Sequence, residues 1–221
     1  MFNSSIGRKL IMALSGVFLI VFLTQHLVIN LTSLIPDNGK VFNFISHFMG
    51  NNPVVQFILQ PILILGVMIH FIMGMYLEVL NRRSRQAPYV VYSGKSGASW
   101  ASRNMIISGL VILSFLIMHF YDFWVPEMVY KYIEFNPLDE NRYFHELQEK
   151  FYQGGVVKLV LYCVSFVLLG LHLSHGFSSS LQSMGITRGP IKTATKFFAI
   201  IVPVGFIIIA TFHYLATTIS H

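Results

Sequence analysis

Long apolar runs separated by polar, turn-rich segments set the architecture of this 221-residue chain. Five stretches are long enough to cross about 30 Å of hydrocarbon. They run roughly 10–33, 54–80, 104–125, 155–182 and 196–218. Between them lie SLIPDNGK, NRRSRQAPYVVYSGKSGAS, an acidic stretch from Pro126 to Gln153, and MGITRGPIK. The pattern predicts an all-α membrane bundle of five transmembrane helices, forming one domain over 1–221. Pro61 and Pro203 fall inside the second and fifth helices, where membrane helices tolerate proline with a kink. In the acidic stretch, FNPLDENRYFHELQEKF reads as an amphipathic helix over about 138–152, begun near Asp139 and lying on the outer membrane surface.

Composition strengthens this picture. The chain is 54% hydrophobic and only 11% charged, against about 25% charged in a soluble domain, and its mean hydropathy is +0.64. The single cysteine, Cys163, excludes an intrachain disulfide and a cysteine-held iron–sulfur cluster. In mid-helix it reads as a packing residue. Arg8-Lys9 before an apolar run imitates a signal peptide. That run continues for about 22 residues through Leu31 without a small-x-small cleavage site, which favours an uncleaved span.

A net charge of +6 would suggest nucleic acid only as a soluble patch; here it divides by membrane side, so no nucleic-acid partner is expected. Arg8, Lys9, Arg82, Arg83, Arg85, Lys95, Arg103, Arg188, Lys192 and Lys196 share one side, with Glu78 the only acid near them. The other side carries Lys40, Lys131, Arg142, Lys150 and Lys158 against Asp37, Asp122, Glu127, Glu134, Asp139, Glu140, Glu146 and Glu149. Positive residues mark the cytoplasm. The N-terminus is therefore expected inside and the C-terminus outside.

Four histidines, one in each of the first four spans, carry the functional information: His26, His70, His119 and His172. An ionisable group at membrane depth is a functional-site candidate, and neutral imidazole is a metal and haem ligand. His26 lies ten residues before Pro36 and His119 seven before Pro126, which puts both about 10–15 Å below the outer boundary. His70 lies 17 residues after Pro53 and His172 14 after Lys158, about 21–26 Å down. The result is an outer and an inner pair, each drawn from two helices, the geometry for clamping a flat macrocycle with an imidazole on each face. Gly66 and Gly74 flank His70, and Gly176 follows His172, where a missing side chain would let a porphyrin approach.

A proton or ion pathway is the main rival, a haem-free transporter using buried histidines. Such pathways usually add mid-membrane carboxylates, whereas Glu78 and Asp122 lie near helix ends. Zinc would want three or four ligands at one level. His175, one turn from His172, is a rival ligand or a propionate partner; His213 has no depth-matched mate and reads as a packing or quinone-side residue. His47, His145 and His221 receive no role. The SGKSG segment at 93–97 lacks the glycine and strand of a phosphate loop.

With five spans and histidines on the first four, the chain resembles the dihaem cytochrome b anchor of succinate:quinone and quinol:fumarate oxidoreductases. The resemblance rests on SSIGRKLIMALSG leading to TQHLVINL, on MIHFIMGMYLEVLNRRSR, on IMHFYDFW and on LGLHLSHGFSSSLQSMGI, and covers nearly the whole chain. It implies two haem b groups, the distal held by His26 and His119 and the proximal by His70 and His172. In the family a glycine follows the fourth ligand by four residues, which favours His172, ahead of Gly176, over His175. It also implies a flavoprotein and an iron–sulfur subunit docked on the basic side, a bacterial cytoplasmic-membrane location, and menaquinone as the quinone. Succinate would be oxidised on the flavoprotein, not on this chain.

Some relatives carry a membrane carboxylate two residues before the fourth ligand, where this chain has Gly170. That difference weakens the expectation of proton transfer here. The quinol:cytochrome c type of cytochrome b, another quinone-linked alternative, puts two histidines on each ligand helix, whereas helices one to three here carry one each. Arg8, Arg82 and Arg83 are candidate propionate partners. Gln25, Asp122, Trp124 and Glu127, on the outer side near His26 and His119, are candidates for the quinone site. Trp124 would equally serve as an interfacial anchor and the two acids as solvated loop ends.

Overall fold

The structure, a computed structural model, describes residues 4–84, 104–187 and 189–220. Arg85, Lys95, Arg103, Arg188, the SGKSG segment and His221 lie outside the described residues. Five helical segments are long and apolar enough to cross a membrane: Ser5–Leu34, Val55–Arg83, Met105–Tyr132, Arg142–Ser183 and Gly189–Ile219. The chain is therefore an all-α, multi-pass membrane protein, with no strand among the described residues.

The first span is α1, Ser5–Leu31, whose first turn is capped by the Ser4 hydroxyl accepting from Gly7 N at 3.0 Å. It tightens into a short 3-10 turn, where the hydroxyls of Thr32 and Ser33 donate to the Ile29 and Asn30 carbonyls at 2.6 Å each. Those bonds satisfy carbonyls that a helix end otherwise leaves open. The connection to the second span contains a helix that hydropathy did not reveal, α2, Lys40–Asn51. Asp37 starts it by accepting from the backbone of Lys40 and Val41 at 3.1 and 3.0 Å.

The second span joins a π-helical segment, Val55–Leu59, to α3, Gln60–Ser84. The third joins α4, Met105–His119, through a π-helical segment, Phe120–Trp124, to α5, Val125–Tyr132. Both π segments end two residues before a proline, Pro61 or Pro126. Proline has no N–H and crowds the carbonyl four residues back, so a widened turn absorbs the conflict. The bend expected at Pro61 takes this form, and the second one carries the third span past its expected end at 125.

The fourth span and the acidic segment before it form one long element, α6, Arg142–Ser183, broken at Gly155 by φ 58° and ψ −166°. The expected external helix and membrane helix are its two halves. The last span is α7, Gly189–Ser220. Its contact with α6 is the most extensive in the molecule. There Phe166, Leu173, Ala199, Val202, Phe206 and Ile209 form a buried core, while Ile200, Ile201, Val204 and Ile208 on the opposite face stay exposed, as lipid-facing residues do.

Pro203 and Gly170 make that contact close. Pro203 cannot donate to the Ala199 carbonyl four residues earlier. A Cβ on Gly170 would sit 2.9 Å from that carbonyl oxygen and 2.9 Å from Pro203 Cγ. Glycine is therefore required by packing, and no carboxylate side chain fits where some relatives of the resembled family have one. Replacing Gly170 with Ala should cost about 1–3 kcal/mol through overpacking, read as a lower melting temperature in detergent. Unchanged melting would show that the two helices separate freely.

Candidate functional site

The bundle has two chemically distinct ends. Arg8 and Lys9 at the start of α1 lie at the same end as Arg82 and Arg83 on α3, since the Arg8 guanidinium sits 5.9 Å from the Tyr76 ring centre. The close of α6 is there too, with Ser180 against Gly16 of α1. Asp122, Glu127, Arg142 and Glu146 occupy the other, acidic end.

Two pairs of histidine rings meet between the helices. Near the acidic end, His26 of α1 and His119 of α4 have ring centres 5.8 Å apart with planes at 87°. Nearer the basic end, His70 of α3 and His172 of α6 stand 6.3 Å apart at 72°. These are the pairs that helix depth predicts. The two levels can be measured along the helices. His70 contacts Ser15, which precedes His26 by 11 residues; His172 contacts Ser108, which precedes His119 by 11. At 1.5 Å per residue the levels are roughly 16 Å apart.

Phenylalanines enclose the acidic-end pair. Phe22 stacks on His26 with centres 5.5 Å apart, and Phe115 on His119 at 5.7 Å. Phe206 lies 5.8 Å from His26 and Phe123 5.1 Å from His119. His119 Nδ1 is buried without a hydrogen-bond partner. The basic-end pair is held differently: Ser15 Oγ is 3.2 Å from His70 Nδ1, and Ser108 Oγ is 3.1 Å from His172 Nδ1. A Cβ on Gly16 would lie 3.4 Å from His70 Cε1, and one on Gly109 3.6 Å from His172 Cε1.

The spacing of both pairs suits a shared metal. A metal–imidazole bond of about 2 Å on each side, plus about 1 Å from each nitrogen to its ring centre, separates two axial rings by roughly 6 Å. Among the described residues no three or more His, Cys, Asp or Glu side chains come together as a metal group. Two ligands per site is what an iron already held by four porphyrin nitrogens still requires, and falls short of a zinc site.

The remaining candidates disperse. His175 makes no ring contact with another histidine among the described residues. Arg82 pairs with Glu78 at 2.7 Å, and Arg83 is exposed. Gln25 is exposed, its amide 3.9 Å from the Met49 sulfur. Asp122 is 5% exposed and accepts from Lys158 Nζ and the Tyr162 hydroxyl, both at 2.8 Å. Glu127 is bound by Lys131, Arg142 and the Tyr143 hydroxyl, the last at 2.6 Å. Trp124 lines a surface recess with Gln56, Gln60, Pro61 and Tyr132. His213 is fully buried, its Nε2 2.9 Å from Ser33 Oγ. His47 lies 4.7 Å from the Tyr143 ring, and Cys163 is half-buried without a disulfide.

Sequence reasoning missed Ser15, Gly16, Ser108 and Gly109, although a signal exists. Residues 15–26 and 108–119 share the pattern S-G-x5-F-x3-H, with Phe22 and Phe115 at matching positions. At the other glycines beside the inner pair, a Cβ on Gly66 would meet Phe18, and one on Gly74 or Gly176 the end of Met12 or Met105.

No protein-family model, curated protein or solved structure matches this chain.

The Asp122–Lys158 pair gives a direct stability test. Lys158→Met would leave a nearly buried carboxylate without its cation, costing about 3 kcal/mol, the low side for a buried pair because the Lys158 side chain keeps 20% exposure. Adding Asp122→Asn should restore most of the loss in melting temperature. If Lys158→Met alone melts like the parent, the pair is not a stabilising contact.

Proposed function

We propose that this chain is the dihaem cytochrome b membrane anchor of a succinate:quinone oxidoreductase. His26 and His119 would be the axial ligands of one haem b, and His70 and His172 those of the second. The observation that carries this reading is the meeting of these four histidines as two ring pairs at two levels, each at a spacing suited to one shared iron. When bound, each haem supplies a one-electron ferric/ferrous couple, so two at different depths make the bundle an electron conductor across the membrane.

The chain's own residues fill the supporting roles. The basic end faces the cytoplasm by the positive-inside rule, which sets the N-terminus inside and the C-terminus outside. That face receives the iron–sulfur and flavoprotein subunits of a bacterial cytoplasmic-membrane complex. Arg8, beside Tyr76 on the helix that bears His70, is the preferred propionate partner there. Quinone, menaquinone by the family resemblance, binds at the acidic end. Of the four candidates for it, Trp124 is favoured, because Asp122 and Glu127 already hold cationic partners. Its recess lies between the two π segments, and such distortions often accompany functional sites.

The near-perpendicular imidazole planes make a specific spectroscopic prediction. The oxidised protein should show low-spin ferric EPR signals of the highly anisotropic type rather than the ordinary rhombic type. His70→Ala or His172→Ala should remove one signal, and His26→Ala or His119→Ala the other. Absence of any reduced-minus-oxidised b-type spectrum would favour the haem-free transporter instead. If His175→Ala removed the inner signal while His172→Ala spared it, the inner ligand would be His175.

For the quinone, Trp124→Leu combined with Gln60→Leu should impair quinone reduction by the assembled complex. Both haem spectra and dye-linked succinate oxidation should be unchanged. Normal quinone turnover would remove the recess from the mechanism.

A further inference from the structure

Ser15 and Ser108 stand in the same relation to the two imidazoles nearer the basic end. Ser15 Oγ lies 3.0 Å from the Met12 carbonyl oxygen and 3.2 Å from His70 Nδ1. Ser108 Oγ lies 2.9 Å from the Met105 carbonyl oxygen and 3.1 Å from His172 Nδ1. A hydroxyl has one hydrogen to donate, and a carbonyl oxygen can only accept. With the serine hydrogen given to the carbonyl, the serine oxygen accepts from the imidazole. In that arrangement His70 and His172 are neutral Nδ1–H tautomers, each with its lone pair on Nε2, the nitrogen that would bind a metal.

The arrangement occurs twice, on separate helices, at the same place in the S-G-x5-F-x3-H pattern. Eleven residues make three helical turns plus about 20°, so each serine lies below the acidic-end histidine of its own helix, on the same face. One face of α1 thus carries His26 and the partner of His70, and one face of α4 carries His119 and the partner of His172. The glycine after each serine leaves bare backbone beside the imidazole. At the acidic end, His119 Nδ1 has no such partner.

We propose that Ser15 and Ser108 are positioning residues for the inner haem. Each pins the tautomer of the imidazole opposite, presents its Nε2 to the iron, and makes the ring a stronger donor by accepting its Nδ1 proton. Hydrogen bonding of this kind orients metal-bound histidine and raises its basicity; a more basic ligand favours the ferric over the ferrous state. The inference rests on the dihaem reading above.

The test is a potentiometric titration of the purified, haem-loaded protein and its variants, with optical and EPR detection of each haem. Ser15→Ala and Ser108→Ala should each raise the midpoint potential of the inner haem alone, and the double variant should raise it further. Ser→Thr at either position, which keeps the hydroxyl, should restore the parent value. Ser→Cys, which keeps the volume and weakens the acceptor, should give a smaller shift in the same direction, and it covers the case in which an Ala variant fails to accumulate. An unchanged inner potential in these variants, or an equal shift of both haems, would overturn the proposal. A parent protein without haem would overturn the dihaem reading, and this inference with it, before any serine variant is made.

Discussion

An imidazole carried into a membrane bundle loses water, and each of its two ring nitrogens must then find a partner or remain unpaired at a cost. Three histidines solve half of that problem with a serine. His70, His172 and His213 each meet a hydroxyl from another helix, and each of those hydroxyls also donates to a carbonyl three residues back in its own helix. Serine suits this task because one oxygen accepts from the ring while its hydrogen satisfies the backbone. The His70 and His172 rings so held lie with centres 6.3 Å apart and planes at 72°. His119, with an unpaired Nδ1 in a phenylalanine enclosure, shows the cost left standing. A ligand on its second nitrogen would make that placement worth keeping.

The backbone obeys the same accounting. Proline at 61, 126 and 203 removes a donor from a helix that has no water to fall back on. Two of these conflicts are taken up by π-helical turns, and the third by a carbonyl turned toward Gly170. Several polar side chains at the acidic end are likewise paired with one another. Arg142 lies between Glu127 and Glu146 with its guanidinium 3.9 Å from the Tyr130 ring centre, and Lys131 donates to the Gly50 carbonyl at 2.6 Å. This network ties α2, α5 and the start of α6 into a cap over the bundle.

Spans and histidine pairs were legible in the chain because depth in a helix is linear in residue number. Counting from Pro36, Pro53, Pro126 and Lys158 was enough to sort four histidines into two levels. Other features were not legible, for physical reasons. The α2 helix is too short to register as a span, and its place depends on tertiary contacts such as the Phe144 N–H to Asn43 Oδ1 bond at 2.9 Å. Asp122, Trp124 and Glu127 are close in sequence, but on a helix Asp122 points away from residues two and five positions on, and a π turn shifts the register further. One reaches Lys158, one lines the surface recess and one reaches Arg142. In the sequence, Ser15 and Ser108 are indistinguishable from helix serines that bond back to their own backbone, a common use. Their second contact exists only once the neighbouring helix is in place.

If His26, His70, His119 and His172 hold two irons, counting haem will show it. Purified protein, quantified by amino-acid analysis and by pyridine haemochrome, should contain two b-type haems per chain. One haem per chain, or none, would mean that at least one histidine pair binds no iron.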